Sequence, residues 1–147
     1  MMNENSKNVL IGEDDDDDFM IFSSVITELP FNILLTRAAN GDLLVKLIDQ
    51  ANPDILFLDI LLPLKDGRKC IQEIRANKKY DSLPVIMYTS LTDLASVEFF
   101  YRNGANLYVV KPSSFHDLKE ALEKVFAIDW KKVMYYPPRD QFVLKAS

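Results

Sequence analysis

Residues 54–60 read DILFLDI, and one carboxylate, Asp59, interrupts the apolar run that follows Asp54. A short, nearly continuous apolar run is typical of a strand buried on both faces, as in a parallel sheet. A charge inside such a strand is costly unless it has a role. The stretch therefore predicts a central strand with a candidate functional acid at its end. Taken alone, Asp59 also fits a strand-end residue that caps a neighbouring turn.

Strand-like and helical patterns alternate on both sides of this run. Four more strands are predicted, over residues 8–12, 32–38, 84–89 and 107–110. Helical spacing of apolar residues follows each strand, with the five stripes beginning near Phe19, Leu44, Asp66, residue 92 and Phe115. Five strands alternating with five helices predict an α/β fold: a doubly wound, five-stranded parallel sheet with helices on both faces.

Length and composition fit one domain. The chain has 147 residues, 48% of them hydrophobic, and it lacks a run of 18 apolar residues, so we expect no membrane insertion. The polar start of the chain predicts no secretory signal, which favours a soluble, cytoplasmic protein. One cysteine and one histidine exclude a disulfide framework and the usual zinc sites.

The net charge of −5 is concentrated near the start of the chain. Residues 1–20 hold seven acidic side chains and one lysine, whereas residues 21–147 hold fifteen acidic and sixteen basic ones. Most of the acidity lies in one run that begins at Glu13. A chain without a basic surface gives no reason to expect direct nucleic-acid binding.

Polar side chains stand where the predicted strands end: Glu13 and Asp14 after the first strand, Asp59 at the third, Thr89 at the fourth and Lys111 after the fifth. The carboxyl ends of parallel strands meet at one edge of the sheet, which is where ligands bind. Carboxylates suit Mg²⁺, and a carboxylate can also attack phosphorus as a nucleophile. A metal ion, an ammonium group and a hydroxyl would stabilise the transferred charge.

Each of these residues also has an ordinary explanation. Glu13 and Asp14 suit a helix N-terminus, Thr89 is a common strand residue, and Lys111 followed by proline fits a structural role. The four strand ends together are not expected by chance.

Four motifs carry a family resemblance: VLIGEDD (9–15), PDILFLDILLPLKDG (53–67), PVIMYTS (84–90) and GANLYVVKP (104–112). With them the chain resembles the receiver domain of bacterial two-component response regulators, of the stand-alone, single-domain type. The resemblance implies a flavodoxin-like sheet of order 2-1-3-4-5. It covers residues 7–127 as the receiver domain and leaves residues 128–147 as a C-terminal extension.

The resemblance also implies the roles of the site residues. Asp59 is implied as the phosphoacceptor, with Mg²⁺ held by Glu13, Asp14 and Asp59 and by the backbone carbonyl of Leu61. Lys111 is implied to pair with the phosphoryl group. Thr89 and Tyr108 are the implied switch residues: Thr89 moves to hydrogen-bond the phosphoryl group, and Tyr108 occupies the aromatic switch position.

The function implied is a phosphorylation-dependent signalling switch rather than an enzyme that turns over a substrate. A sensor histidine kinase or histidine phosphotransfer protein would donate the phosphoryl group to Asp59. Output would pass through contacts with a downstream protein that the sequence does not identify. Two alternatives remain open: a receiver-like interaction module that never uses phosphate, and a phosphatase with an aspartyl nucleophile. Leu61 argues against the phosphatase, because such enzymes usually have a second acid at that position.

Two apolar residues near the predicted pocket depart from the commonest family pattern. Leu61 lies two residues after Asp59, and Leu91 lies two residues after Thr89. We expect them to hinder the hydrolytic water and to lengthen the lifetime of the phosphoryl group.

Several further residues have competing explanations. Residues 15–18 are expected to be solvent-facing acids at a helix start, and His116 a surface or capping residue. Cys70 lies on an apolar stripe and is expected to be a small core residue. Residues 99–101, Phe-Phe-Tyr, cannot all be buried on one helical face, which leaves partial burial or a partner or homodimer surface. The same two choices hold for the aromatic residues of the extension: Trp130, Tyr135 and Tyr136.

Overall fold

A computed structural model describes residues 6–130 and 136–145 of the chain. The strands are Ser6–Gly12 (β1), Asn32–Ala38 (β2), Ile55–Leu58 (β3), Val85–Thr89 (β4), Leu107–Val110 (β5) and Val143–Leu144 (β6). The helices are Asp16–Glu28 (α1), Gly41–Ala51 (α2), Gly67–Ala76 (α3), Leu94–Arg102 (α4) and Phe115–Ala127 (α5).

All strand pairs in the sheet are parallel, and the strand order is β2-β1-β3-β4-β5-β6. The predicted α/β class and the order of the first five strands are confirmed. The structure adds a sixth strand beside β5. Every residue of β3 and β4 is buried, as the continuous apolar runs in the sequence predicted.

Each helix begins after a residue whose side chain accepts a hydrogen bond from a backbone N–H group of the first turn. Such caps satisfy donors that otherwise lack a partner, and they mark where each helix starts. The five capping residues are Asp15, Asn40, Asp66, Asp93 and Ser114.

The helices cover the sheet on two sides and form two cores. Helices α2, α3 and α4 pack on one face, where Cys70 is fully buried, as expected for a small core residue. Helices α1 and α5 pack on the other face. Among the described residues, no helix is both long enough and apolar enough to cross a membrane.

The segment of residues 136–145 returns to the sheet instead of projecting from it. The Tyr108 backbone N–H donates to the carbonyl of Phe142 at 3.0 Å, and β6 continues beside β5. The Phe142 ring is fully buried, with its centroid 5.1 Å from that of Tyr101 and 6.0 Å from that of Tyr108. Arg139 Nε lies 2.5 Å from Glu98 Oε1 and so ties the segment to α4.

These contacts decide part of the choice that the aromatic residues left open. Phe100 is fully buried, and Tyr101 is half-buried against the chain's own Phe142. The Trp130 indole N–H donates to the carbonyl of Val125 at 3.1 Å, and its side chain packs against the core under α1 and α5. Tyr136 is exposed, and Tyr135 lies outside the described residues.

Candidate functional site

Backbone hydrogen bonds between neighbouring strand ends bring the candidate residues to one edge of the sheet. The Asp59 N–H donates to the carbonyl of Gly12 at 3.0 Å, just past the end of β3. The Lys111 N–H donates to the carbonyl of Thr89 at 2.8 Å. Glu13 is fixed through its N–H to the carbonyl of Ala38 on β2, at 3.0 Å. The side chains of these residues therefore start from rigid positions.

A close helix start also fixes the backbone at Asp59. A methyl group in place of the Gly67 hydrogen would lie 2.7 Å from the carbonyl oxygen of Asp59. Only glycine allows α3 to begin this near the end of β3. Gly67, which directly follows Asp66, is therefore needed for the close approach of α3 to Asp59.

Lys111 is the centre of the charged cluster. Its Nζ atom lies 2.7 Å from Glu13 Oε1, 2.8 Å from Asp18 Oδ2 and 2.9 Å from Asp59 Oδ2. Burial by itself would lower the pKa of Lys111, but the bonds to the three carboxylates outweigh it and hold the pKa above its usual range. The ammonium group is therefore charged and partly neutralises the acids around it.

Burial raises the pKa of Glu13. It is fully buried, and burial raises its pKa to about 7, although Lys111 lowers it in part. Its buried Oε1 atom lies 2.7 Å from Lys111 Nζ, and this ion pair offsets only part of the cost of burial. A buried carboxylate in this condition is stabilised by a cation.

The donor set fits a hard divalent cation. Glu13, Asp14 and Asp59 each offer a carboxylate oxygen, and the three oxygens lie within 4.8 Å of one another. Asp14 is exposed, whereas Glu13 and Asp59 are buried, so the cluster opens to solvent on one side. All-oxygen ligation with room for water is what Mg²⁺ prefers.

Asp18 joins the pocket, and the expectation that residues 15–18 all face solvent was wrong for this residue. Asp15 caps α1 by accepting a bond from the Asp18 N–H at 2.8 Å, and Asp16 pairs with Arg37 at 2.9 Å. Asp18 instead directs its carboxylate to Lys111. In the sequence, nothing separates Asp18 from the aspartates that precede it.

The two residues implied as the switch are both hydrogen-bonded to the backbone of Leu91. The Leu91 N–H donates to Thr89 Oγ1 at 3.3 Å, and the Leu91 carbonyl accepts from the Tyr108 hydroxyl at 2.7 Å. Thr89 and Tyr108 are both fully buried, and burial raises the pKa of Tyr108 to about 12. Leu91 therefore links the two side chains by hydrogen bonds.

Two other predicted positions lie at the surface. Leu61 is 56% exposed, and its backbone N–H lies 3.4 Å from Asp59 Oδ1. The His116 side chain is exposed at the start of α5, with Nε2 3.3 Å from Glu120 Oε1, which confirms a surface position.

Comparisons with known proteins agree with this geometry. A sequence model of the response regulator receiver domain matches residues 9–123. The probable C4-dicarboxylate response regulator DctR of Bacillus subtilis (strain 168) is 34% identical over 116 residues, which are 79% of this chain and 50% of that protein. This chain spans about half the length of the curated relatives it matches.

Solved structures show the same fold. Response regulator RPA3017, from red light signaling of R. palustris, has a TM-score of 0.74 at 26% identity and covers 90% of this chain and 96% of that one. A chain of the CheX-CheY-BeF3-Mg complex from Borrelia burgdorferi has a TM-score of 0.69 at 30% identity and covers 82% and 89%. The chain accordingly belongs to the response regulator receiver domains, the phosphorylation-dependent signalling domains of two-component systems.

Proposed function

We propose that Asp59 is the phosphoacceptor of this receiver and that the phosphoryl group comes from a phosphohistidine. The observation that carries the proposal is the placement of Asp59: its carboxylate is buried, and its Oδ2 atom lies 2.9 Å from Lys111 Nζ. A buried carboxylate with an ammonium group beside it is both positioned and balanced in charge for attack on phosphorus.

In the proposed step, an Asp59 carboxylate oxygen forms a bond to phosphorus as the bond between phosphorus and the histidine nitrogen breaks. The nitrogen keeps the electron pair and takes up a proton. Lys111 then faces the negative charge on the phosphoryl oxygens, which lowers the barrier most where charge accumulates. The low exposure of Lys111 strengthens this interaction, because less water screens it.

Glu13, Asp14 and Asp59 would hold Mg²⁺, together with the backbone carbonyl of Leu61. Bound there, Mg²⁺ supplies positive charge that offsets the phosphoryl oxygens and the crowded acids. The buried carboxylate of Glu13, whose pKa is raised by burial despite the ion pair with Lys111, supports this assignment. The similar chain from Borrelia burgdorferi was solved in a complex with Mg²⁺ and BeF3, which supports it as well.

Phosphorylation would change the surface through Thr89 and Tyr108. A phosphoryl group on Asp59 adds acceptor oxygens that attract the Thr89 hydroxyl away from the Leu91 N–H. The Tyr108 hydroxyl, which donates to the carbonyl of the same residue, Leu91, would respond. We propose that residues 7–127 form the switch and that a downstream protein reads its altered surface, with no direct contact to nucleic acid.

The test is incubation with phosphoramidate and Mg²⁺, followed by intact mass measurement. We expect one phosphoryl adduct on the wild type and on Asp17→Asn, a matched control that removes an exposed aspartate from α1. Asp59→Asn should acquire none. A folded, Mg²⁺-binding wild type without an adduct would contradict the proposal and favour the phosphate-independent module.

Turnover separates this receiver from a hydrolase. The chain is expected to stop at one phosphoryl group per molecule and to lose it slowly, catalysing only its own phosphorylation and dephosphorylation. Release of many phosphate ions per chain from a small phosphomonoester would contradict this. A hydrolase of that kind uses a second acid to protonate the leaving group, and Leu61 occupies the position where that acid is usual.

A further inference from the structure

Asp18 stands apart from the acids of the candidate cation site. The oxygens of Glu13, Asp14 and Asp59 group within 4.8 Å, and Asp18 is not a member of that group among the described residues. Its carboxylate reaches the cluster by its contact with Lys111, at 2.8 Å. The contact of Asp18 with the cluster is thus the one with the lysine.

Lys111 has two partners that a cation would compete for. Glu13 and Asp59 contact the ammonium group at 2.7 and 2.9 Å, and the same two side chains supply oxygens to the candidate cation site. Without another anion, occupancy of that site would leave a nearly buried ammonium group beside a dication, which is costly. Asp18 remains available to it, because its oxygens lie outside the cation cluster.

We infer that Asp18 is a positioning residue that retains Lys111 at the edge of the pocket when Glu13 and Asp59 bind a divalent cation. The inference rests on the proposed Mg²⁺ site. Asp18 thereby lets a lysine and a dication share one pocket, and it keeps the ammonium group where the proposed phosphoryl group needs it. Asp16, which pairs with Arg37, and the exposed Asp17 do not have this role.

The test is the Mg²⁺ affinity of the unphosphorylated chain, measured by titration calorimetry. Asp18→Asn should weaken binding about fivefold, as expected for coupled neighbouring groups. Asp17→Asn removes the same charge from the same helical turn, and we expect it to change affinity much less. Asp18→Glu keeps the carboxylate and should restore most of the affinity. Equal losses in Asp17→Asn and Asp18→Asn would overturn the inference.

A double-mutant cycle with Lys111→Met identifies the route of the effect. If Asp18 acts through Lys111, Asp18→Asn should lose its extra effect in the Lys111→Met background and match Asp17→Asn there. A fivefold loss that persists without the lysine would overturn the inference. Should Lys111→Met not fold, the comparison of Asp18→Asn, Asp18→Glu and Asp17→Asn decides.

These measurements do not depend on phosphate transfer. Coupling between Asp18 and Lys111 without a phosphoryl adduct would support the role of Asp18 and contradict the proposed function. An adduct on Asp59 without that coupling would support the proposed function and contradict the role of Asp18.

Discussion

Leu61 places an apolar side chain at the edge of the pocket, next to the proposed phosphoacceptor. Its backbone N–H is 3.4 Å from Asp59 Oδ1, and its side chain is 56% exposed. We expect Leu61→Ala to lose its phosphoryl group about threefold faster than the wild type, because water gains access to phosphorus; this is roughly 0.7 kcal/mol of barrier. Decay of the adduct, followed by intact mass, measures it.

Leu64 offers the matched control for this prediction. It lies in the same connection between β3 and α3 and is 78% exposed. Leu64→Ala should leave the decay rate unchanged. An unchanged rate in Leu61→Ala would show that this side chain does not shield the phosphoryl group.

The sequence was sufficient to predict the pocket where a residue directly follows a strand. Asp59, Thr89 and Lys111 could be found because parallel strands end at a common edge, so their positions along the chain determine their place in space. Asp18 could not be separated from its acidic neighbours in the same way. The direction of its side chain depends on which residue caps α1, and five consecutive aspartates give no contrast to a periodic pattern.

At the scale of elements, β6 depends on one buried ring. Phe142 is fully buried between Tyr101 and Tyr108, although β6 contains only two residues. We expect Phe142→Ala to lower the free energy of unfolding by about 3 kcal/mol, since it removes a large buried side chain. Urea unfolding followed by circular dichroism measures the change.

Phe115 serves as the control residue, because it is an aromatic residue with 39% exposure at the start of α5. Phe115→Ala should cost less than 1 kcal/mol, in line with surface substitutions. A loss below 1 kcal/mol in Phe142→Ala as well would mean that the segment of residues 136–145 contributes little to stability.

The helices and the first five strands were predictable because each repeats its pattern several times. The predicted strand of residues 32–38 coincides with β2, and the helix predicted from Asp66 is α3 with its cap. The two residues of β6 are too few to show alternation. Its place beside β5 results from side-chain packing of Phe142, which local periodicity does not encode.

For the whole molecule, the buried carboxyl group of Glu13 links stability to pH. Glu13 has its ordinary pKa in the unfolded chain and a pKa of about 7 in the folded one. Between these values the folded state binds more protons, so raising the pH favours unfolding. In the metal-free chain we expect Glu13 to cost on the order of 3 kcal/mol well above pH 7, a loss that disappears as the pH falls below 4.5.

Glu13→Gln should remove that slope. The variant is expected to unfold at a higher temperature than the wild type at pH 8 without metal, and to gain less from added Mg²⁺, because a cation ligand is lost. Glu123→Gln, which changes an exposed glutamate of α5, is the control. A Glu13→Gln variant with the wild-type pH profile would contradict this explanation of the pocket's electrostatics.

The bond from the Tyr108 N–H to the Phe142 carbonyl has a practical consequence for observing this molecule. An amide proton held in a sheet exchanges with deuterium only when its acceptor departs. Exchange at the Tyr108 amide therefore reports whether the segment that contains Phe142 and β6 is paired with β5. The deuterium exchange rate of this one amide, followed by NMR in the wild-type chain, gives the fraction of time for which β6 is detached from β5.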